Sequence, residues 1–465
     1  MRTDIGEDGL RDWLRRWWNT GLNRSLAFYW MGAIALMVVS GLLWRWTASG
    51  SFLRDYVGPT LLGSGVTAVA AFASLLVIAN KEMQERRELN RLQDAPATSR
   101  PSLSLGHLSI EDIRVVAAGD ELERRMRFRV LSPGGDDLPR RADPPEWFRI
   151  ETDLLPRLQQ RAQERRQVFF DDEKLDLLDA VRSRDLEDGR PVTVYELSVG
   201  ATTYFRFAGM SNALDEDVSE LFENTHTLRE RWGHEPLALE HVSSLPAPAA
   251  MGCGVVVVTN DNQIVLLERA STYIGGPLPG DRRTKVHIVA EGMIPADVRA
   301  GGSPLRAAAL RALDEELGID VVESGNEPLS GLKLVGMFFD TGRWQPCFVW
   351  LARLSVSLDE LATMQSVASD GWEAASLFGT PFDIRADRTR ALLLNQHHTL
   401  VAATNHARAC LILALIANQG LVQCRAALSW GSGRGRRRNG PGFRMSEEGP
   451  GPEMREGSDV SLGRR

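Results

Sequence analysis

Two long uncharged apolar runs dominate the hydropathy pattern. Residues 25–44 read SLAFYWMGAIALMVVSGLLW and residues 56–80 read YVGPTLLGSGVTAVAAFASLLVIAN, with no charged side chain in either. A bilayer core about 30 Å thick takes roughly 20 apolar helical residues, so each run predicts a membrane-spanning helix. Trp17, Trp18, Trp30, Trp44 and Trp46 fall around the first run, where amphipathic rings suit the headgroup layer. A signal peptide is not expected, because that run is too long and no small-x-small cleavage site precedes a soluble domain. Arg11, Arg15, Arg16 and Arg24 precede the first run and Lys81, Arg86, Arg87 and Arg91 follow the second, against Arg45 and Arg54 in the loop. The positive-inside rule then predicts that both termini are cytoplasmic. Small residues in the second run, Gly65, Ala68 and Ser74 among them, predict a face for close helix packing, within the chain or between copies.

Beyond residue 80 the pattern changes. Residues 81–94, KEMQERRELNRLQD, favour a charged helical stalk, which Pro96 and Pro101 end. SLSLGHLSI and MRFRVL alternate like strands, LLPRLQQRAQERR has helical period, and 191–207 is strand-rich, with a helix expected over LDEDVSELFENTHTLRERW. CGVVVVTNDNQIVLLERAS, 253–271, places two apolar runs around Asn260-Asp261-Asn262 and predicts a hairpin. TKVHIVAEGM predicts another strand, and SPLRAAALRALDEEL a helix from Ser303 with Pro304 in its first turn and Gly318 at its end. LVGMFFDTG and QPCFVWLARLS add strands, and the apolar stretch within 391–424 reads as a buried core helix. The organisation expected is a cytoplasmic segment 1–24, a two-helix membrane hairpin 25–80, a stalk and linker 81–101, an extension 102–190, an α/β sandwich on a mixed sheet 191–430, and a disordered Gly/Arg-rich tail 431–465 whose basic cluster is able to touch anionic headgroups.

Composition narrows the functional classes. The 465 residues carry a formal net charge of −7, which argues against a general attraction to DNA or RNA and leaves room for a local basic pocket. Most cations are arginine, which favours bidentate contacts to phosphate. Cys253, Cys347, Cys410 and Cys424 form no CxxC pair, so neither a zinc site nor a disulfide framework is expected.

The chemistry concentrates in RALDEELGI, 311–319. Glu315 and Glu316 occupy the last helical turn, where carboxylates are able to share a divalent cation, and Arg311 lies four residues earlier, placed for a charge-assisted pair with Glu315. With the hairpin and the EGM strand, this stretch resembles the Nudix family. That resemblance implies two further carboxylates, where this chain has Ala312 and, eight residues before Arg311, Ser303; Gly292 matches the opening glycine only with residues inserted in IPADVRAGG. The whole layout resembles the membrane effectors of bacterial cyclic-oligonucleotide anti-phage systems (CBASS) that carry a SMODS-associated Nudix domain. The resemblance implies an inner-membrane homo-oligomer that senses a cyclic oligonucleotide made by an associated nucleotidyltransferase and whose spans then breach the lipid bilayer. No cofactor is required by that reading, and Mg2+ is possible. Candidate ligand-binding residues are Arg269, Lys285, His287, Glu291 and Arg311, with Tyr204, Phe205 and Trp344 as stacking candidates. His397, His398 and His406 are expected as partly exposed helix residues rather than ligands. The alternatives are a membrane-tethered Mg2+-dependent Nudix hydrolase using Glu315 and Glu316, and a structural anchor for a partner.

Overall fold

In the computed structural model, residues 102–429 are described apart from 120–121, 131–137, 188–189, 234–238, 272–281, 301, 320–327, 367 and 371–373, together with Ser74, Ala79, Asn80, Met83 and Gln84. The expected spans, most of the stalk, Gly65, Ala68 and the tail from 430 lie outside the described residues; Ser74 is helical and exposed. Among the described residues no single helix is long and apolar enough to cross a membrane.

A mixed nine-stranded sheet organises the chain. Its spine is built from β3 (Ile113–Ala118), β7 (Gly252–Val258), β8 (Gln263–Arg269), β9 (Thr284–His287), β11 (Leu329–Asp340), β12 (Gln345–Leu354) and β14 (Leu400–Ala402), in the order β14-β9-β8-β7-β12-β11-β3. β10 (Val289–Gly292) pairs with β7, and β13 (Ala374–Pro381) with β8. β7, GCGVVVV, is buried at every position, as a central strand covered on both faces must be. It runs parallel to β12, from Cys347↔Gly252 to Arg353↔Val258.

Helices cover both faces. On one side α1 (Pro295–Arg299) and α2 (Pro304–Leu317) pack with Ala308, Ala309, Ala312 and Leu313 fully buried. Ser303 caps α2 by accepting from Arg306 N, and Gly318 ends it at φ 67°, a left-handed conformation that side chains resist. On the other side lie α3 (Asn405–Gln419) and α4 (Leu421–Ser429), with residues 407–416 of α3 buried throughout; the two helices bend by 119°. β1 (Ser102–Leu105) and β2 (Leu108–Glu111) form a hairpin that joins this second apolar layer.

Residues 102–190 contribute strands to both larger sheets. β3 extends the main sheet beside β11. The smaller sheet, β4 (Met126–Val130), β6 (Arg190–Thr203) and β5 (Glu173–Glu187), pairs β5 with β6 across the expected boundary at 190. Leu175 N donates to Met293 O and Met251 N to Leu175 O (2.7 and 2.9 Å), which ties β5 to the main sheet. Asp176, fully buried, accepts from Arg141 Nε (3.0 Å) and Ala249 N (2.7 Å).

Two local expectations are corrected. After β6, Thr203 caps a short helix, Tyr204–Gly209, so the aromatic stretch leaves the strand. Of LDEDVSELFENTHTLRERW, only Leu228–Trp232 is helical. Asp217 Oδ1 accepts from Ser219 N and Val218 N donates to His226 O, so short polar side chains and turns compete with the helix.

Candidate functional site

The cavity arises because β7 and β8 separate. Their ladder holds only Val258↔Ile264 beside the Asn260-Asp261-Asn262 turn. Beyond it the segment 284–292 enters: β9 pairs with β8 at Leu267↔His287, and β10 with β7 at Val289↔Val255. A cavity of about 640 Å³ opens there, a size that holds a small ligand. It is lined from β9–β10 by His287 and Glu291, from α2 by Arg311 and Glu315, and from β8 by Arg269. Lys174, Tyr204, Arg343, Asp370, Thr404 and His406 come from more distant parts of the chain.

One end is acidic and organised by Arg311. Its Nη1 donates to Glu315 Oε2 (2.8 Å), its Nη2 to Gly292 O (2.7 Å), and its Nε and Nη2 to the two oxygens of Asp297 (3.1 and 3.2 Å). Burial opposes the charge on Arg311, but Asp297, Glu291 and Glu315 outweigh it and raise its pKa. The arginine therefore stays cationic and fixes the carboxylates around it. Asp370 is brought in by its backbone N, which donates to Glu315 O (2.8 Å). Glu291, Glu315 and Asp370 place carboxylate oxygens within 4.8 Å of one another, an oxygen set that suits a hard cation such as Mg2+. Burial pushes the Glu291 carboxyl up; Lys174 and Arg311 counter this, and Glu315 and Asp370 add to it. Gly292 lets Lys174 cross here, since a Cβ would come within 2.8 Å of Lys174 Cδ.

The expected pairing of Glu315 with Glu316 at this centre is not what the structure brings together. Glu316 is 3% exposed, and its Oε1 accepts from Ala290 N (2.8 Å), so it fastens α2 to β10. An i, i+1 pair on a helix points in different directions, which separates the two. Ala312 is fully buried and Ser303 is a helix cap. At Ser303 there is no carboxylate, and the one that meets Arg311 is Asp297 on α1, fourteen residues before it.

The other end is cationic. Arg269 is 8% exposed and lines the cavity. His287 is buried; its Nδ1 is 2.7 Å from Ile288 O and its Nε2 3.1 Å from Thr404 Oγ1. Burial and then Arg269 hold its pKa well below the usual value, so His287 is neutral. His406 behaves oppositely. Burial works against its charge, but the Asp340 carboxylate, 2.6 Å from Nε2, raises its pKa to about 9. Arg343, exposed in the turn between β11 and β12, makes no ion pair or hydrogen bond among the described residues. Cys347 also borders this end; the neighbouring Cys410 thiol and burial raise its pKa well above the usual value, so it is an unreactive thiol.

Lys285 does not line the cavity; it sits opposite Val401 in the β9–β14 pairing. Of the stacking candidates, Tyr204 lines the cavity, Phe205 stacks on Phe169 at 5.1 Å, and Trp344 is fully buried against Trp232. His397 and His398 lie in the loop before β14 rather than on a helix. Asp297, Asp370, Lys174, Arg343 and the His406–Asp340 pair are site residues for which the sequence carries no signal beyond α1 following the EGM strand, because each arrives from a separate element.

No protein-family model matches the chain, and no curated protein matches it. It is similar to a solved protein from Deinococcus radiodurans at 12% identity, over 35% of this chain and 80% of that one, with a TM-score of 0.23. A Nudix hydrolase from Nitrosomonas europaea aligns at 17% identity over 35% and 86%, with a TM-score of 0.21. The MutT protein from Methanosarcina mazei aligns at 11% identity over 37% and 95%, with a TM-score of 0.20. Likeness at these TM-scores does not establish a shared fold.

Proposed function

We propose that the mixed-sheet domain is Nudix-like and binds a nucleotide as a sensor, with little or no hydrolysis. The observation that carries this is the state of the α2 carboxylates. Ala312 offers only a methyl group, Glu316 is committed to Ala290 N, and Asp297 is committed to Arg311, leaving Glu315 as the helix's contribution to the cavity. The same cavity keeps cations and Tyr204, which suit phosphate and base without cleavage. With the apolar runs at 25–44 and 56–80, these features support a membrane-anchored effector of the CBASS kind. Its signal is a cyclic oligonucleotide from an associated nucleotidyltransferase, and its spans assemble between copies to disrupt the inner membrane. Ligand drives that assembly only by binding the assembled state more tightly than the resting one.

A second reading, a membrane-tethered hydrolase of nucleoside diphosphate derivatives, is favoured by the convergence of Glu291, Glu315 and Asp370. Those three residues would hold Mg2+, which supplies charge neutralisation of a diphosphate when bound. Arg311 would orient Glu315 by the hydrogen bond it donates. Incubating the purified full chain with Mg2+ and a panel of nucleoside diphosphate derivatives separates the two readings. The sensor reading predicts no turnover above a heat-treated control. Turnover abolished by Glu315→Gln would establish the hydrolase.

A further inference from the structure

Residues 168–174 run along the cavity with a two-residue period. Val168, Phe170, Asp172 and Lys174 line it. The residues between them are engaged elsewhere. Phe169 meets the rings of Tyr204 and Phe205 at 5.8 and 5.1 Å, Asp171 Oδ1 accepts from Phe205 N (2.7 Å), and Glu173 opens β5 opposite Thr203. Such alternation is what an extended chain imposes. The cavity-facing residues change character along the segment. Lys174 Nζ donates to Asp172 Oδ2 (2.7 Å), and Lys174 passes over Gly292, next to Glu291. Before that ion pair the face consists of Val168 and Phe170, both apolar.

Phe170 is 54% exposed and Val168 42%. Among the exposed large apolar side chains of the described residues, only these two line the cavity. An aromatic ring left in water forgoes the burial that a core ring gains. The segment that carries it is nevertheless held in place: Tyr204 N donates to Asp172 O (2.8 Å), which pins it to the helix Tyr204–Gly209. Tyr204 and Phe207 of that helix line the cavity too. Asn212, exposed and held by its N donating to Phe207 O (2.9 Å), also lines it and carries an amide donor and a carbonyl acceptor. This combination fits a flat heterocycle, apolar on its faces and polar at its edge. An acyl chain has nothing to offer the carboxamide.

We propose that Phe170 is the stacking platform of a nucleobase subsite, with Val168 and Tyr204 completing its apolar wall and Asn212 reading the base edge. Phe170 and Lys174 are four residues apart, up to about 13 Å at 3.3 Å per residue of extended chain. Ribose and phosphate then extend along the same face toward Lys174 and the carboxylates. The subsite deepens the nucleotide-binding reading and rests on it. It adds a contact from before residue 190, outside the stretch that resembles the Nudix family.

The test is titration of the full chain, followed by saturation-transfer NMR, with adenosine, guanosine, cytidine and uridine, which carry a base and no phosphate. A parallel titration uses 3′,5′-cyclic dinucleotides of the same bases. We expect at least one nucleoside to bind, with saturation reaching its base protons. Phe170→Ala should weaken it about tenfold, the loss of one stacked ring. Phe170→Leu, which keeps an apolar side chain without a π-face, should weaken it as well, and Phe170→Tyr should retain it. Phe148→Ala removes a ring that is 73% exposed and does not line the cavity, and should change nothing. The subsite is overturned if no nucleoside binds, or if Phe170→Ala binds as tightly as the parent; a smaller oligomer in that variant would then make the ring a contact between copies. If the nucleosides behave as expected but no cyclic dinucleotide binds, the subsite stands and the sensor reading loses its support. If no nucleoside binds but a cyclic dinucleotide does, equally well in Phe170→Ala, the sensor reading stands and the subsite falls.

Discussion

Arg311 holds both oxygens of Asp297, at 3.1 and 3.2 Å, although the two residues are fourteen positions apart on different helices. Asp297 is 3% exposed and depends on this contact and on Ile294 N, which donates to Oδ2 at 2.8 Å. Arg311→Ala leaves that carboxylate buried without its cation, an effect of about 3–5 kcal/mol on stability. Arg311→Lys should recover part of the loss, because an ammonium keeps the charge and loses the fork. Urea unfolding of the three proteins checks the order.

The same contact shows which parts of the site are legible in sequence. Arg311, Glu315 and Gly318 lie within one turn-to-cap stretch, so helix period and capping place them in advance. The β7–β8 hairpin is equally readable from its turn residues and apolar runs. Asp297 is hidden because it lies fourteen residues before Arg311 on another helix, a separation that no helical period encodes. Asp370, Arg343 and Lys174 reach the cavity through sheet order, which no local pattern encodes. Glu316 illustrates the opposite failure: its residue type is right for a metal ligand, but helix geometry turns it into a tie to β10.

The His406–Asp340 pair makes stability depend on pH. The folded-state pKa of His406, about 9, lies above its usual 6.5, so its contribution is complete below about 6.5 and disappears as pH rises through about 9. For Asp340, burial works against ionisation and His406 outweighs it, lowering the pKa, so its share is lost only in acid. The urea midpoint should therefore fall between pH 7 and pH 9.5, by up to about 3 kcal/mol in stability. His406→Gln should flatten that slope. An equally steep slope in the variant would remove the pair as its cause.

Gly318 couples the end of α2 to the loop that carries Asp370. A Cβ there would sit 2.9 Å from Met364 O, at a φ of 67°. Gly318→Ala should cost about 1–2 kcal/mol through left-handed strain, with the close contact adding to it. Hydrogen exchange should rise at the Asp370 amide, which bonds Glu315 O. A variant as stable as the parent, with Asp370 still protected, would contradict this.

The assembly step concerns the second apolar run. Gly65→Leu or Ala68→Leu should enlarge the small-residue face proposed to meet a neighbouring copy. Nucleotide binding should be unchanged in both variants, while ligand-triggered leakage of dye from vesicles containing the full chain should be lost. Leakage as fast as that of the parent would defeat span assembly and leave the cavity reading intact.

The central claim is that the cavity binds a phosphate-linked nucleotide and returns it unchanged. Its most direct test is titration of the full chain with a panel of cyclic oligonucleotides, in EDTA and again with Mg2+, followed by chromatography of the recovered ligand. A sensor should show saturable binding of at least one member in both conditions, with all of the nucleotide recovered intact. Binding by none of the panel, or recovery of a cleaved product with Mg2+ that Glu315→Gln prevents, would contradict it.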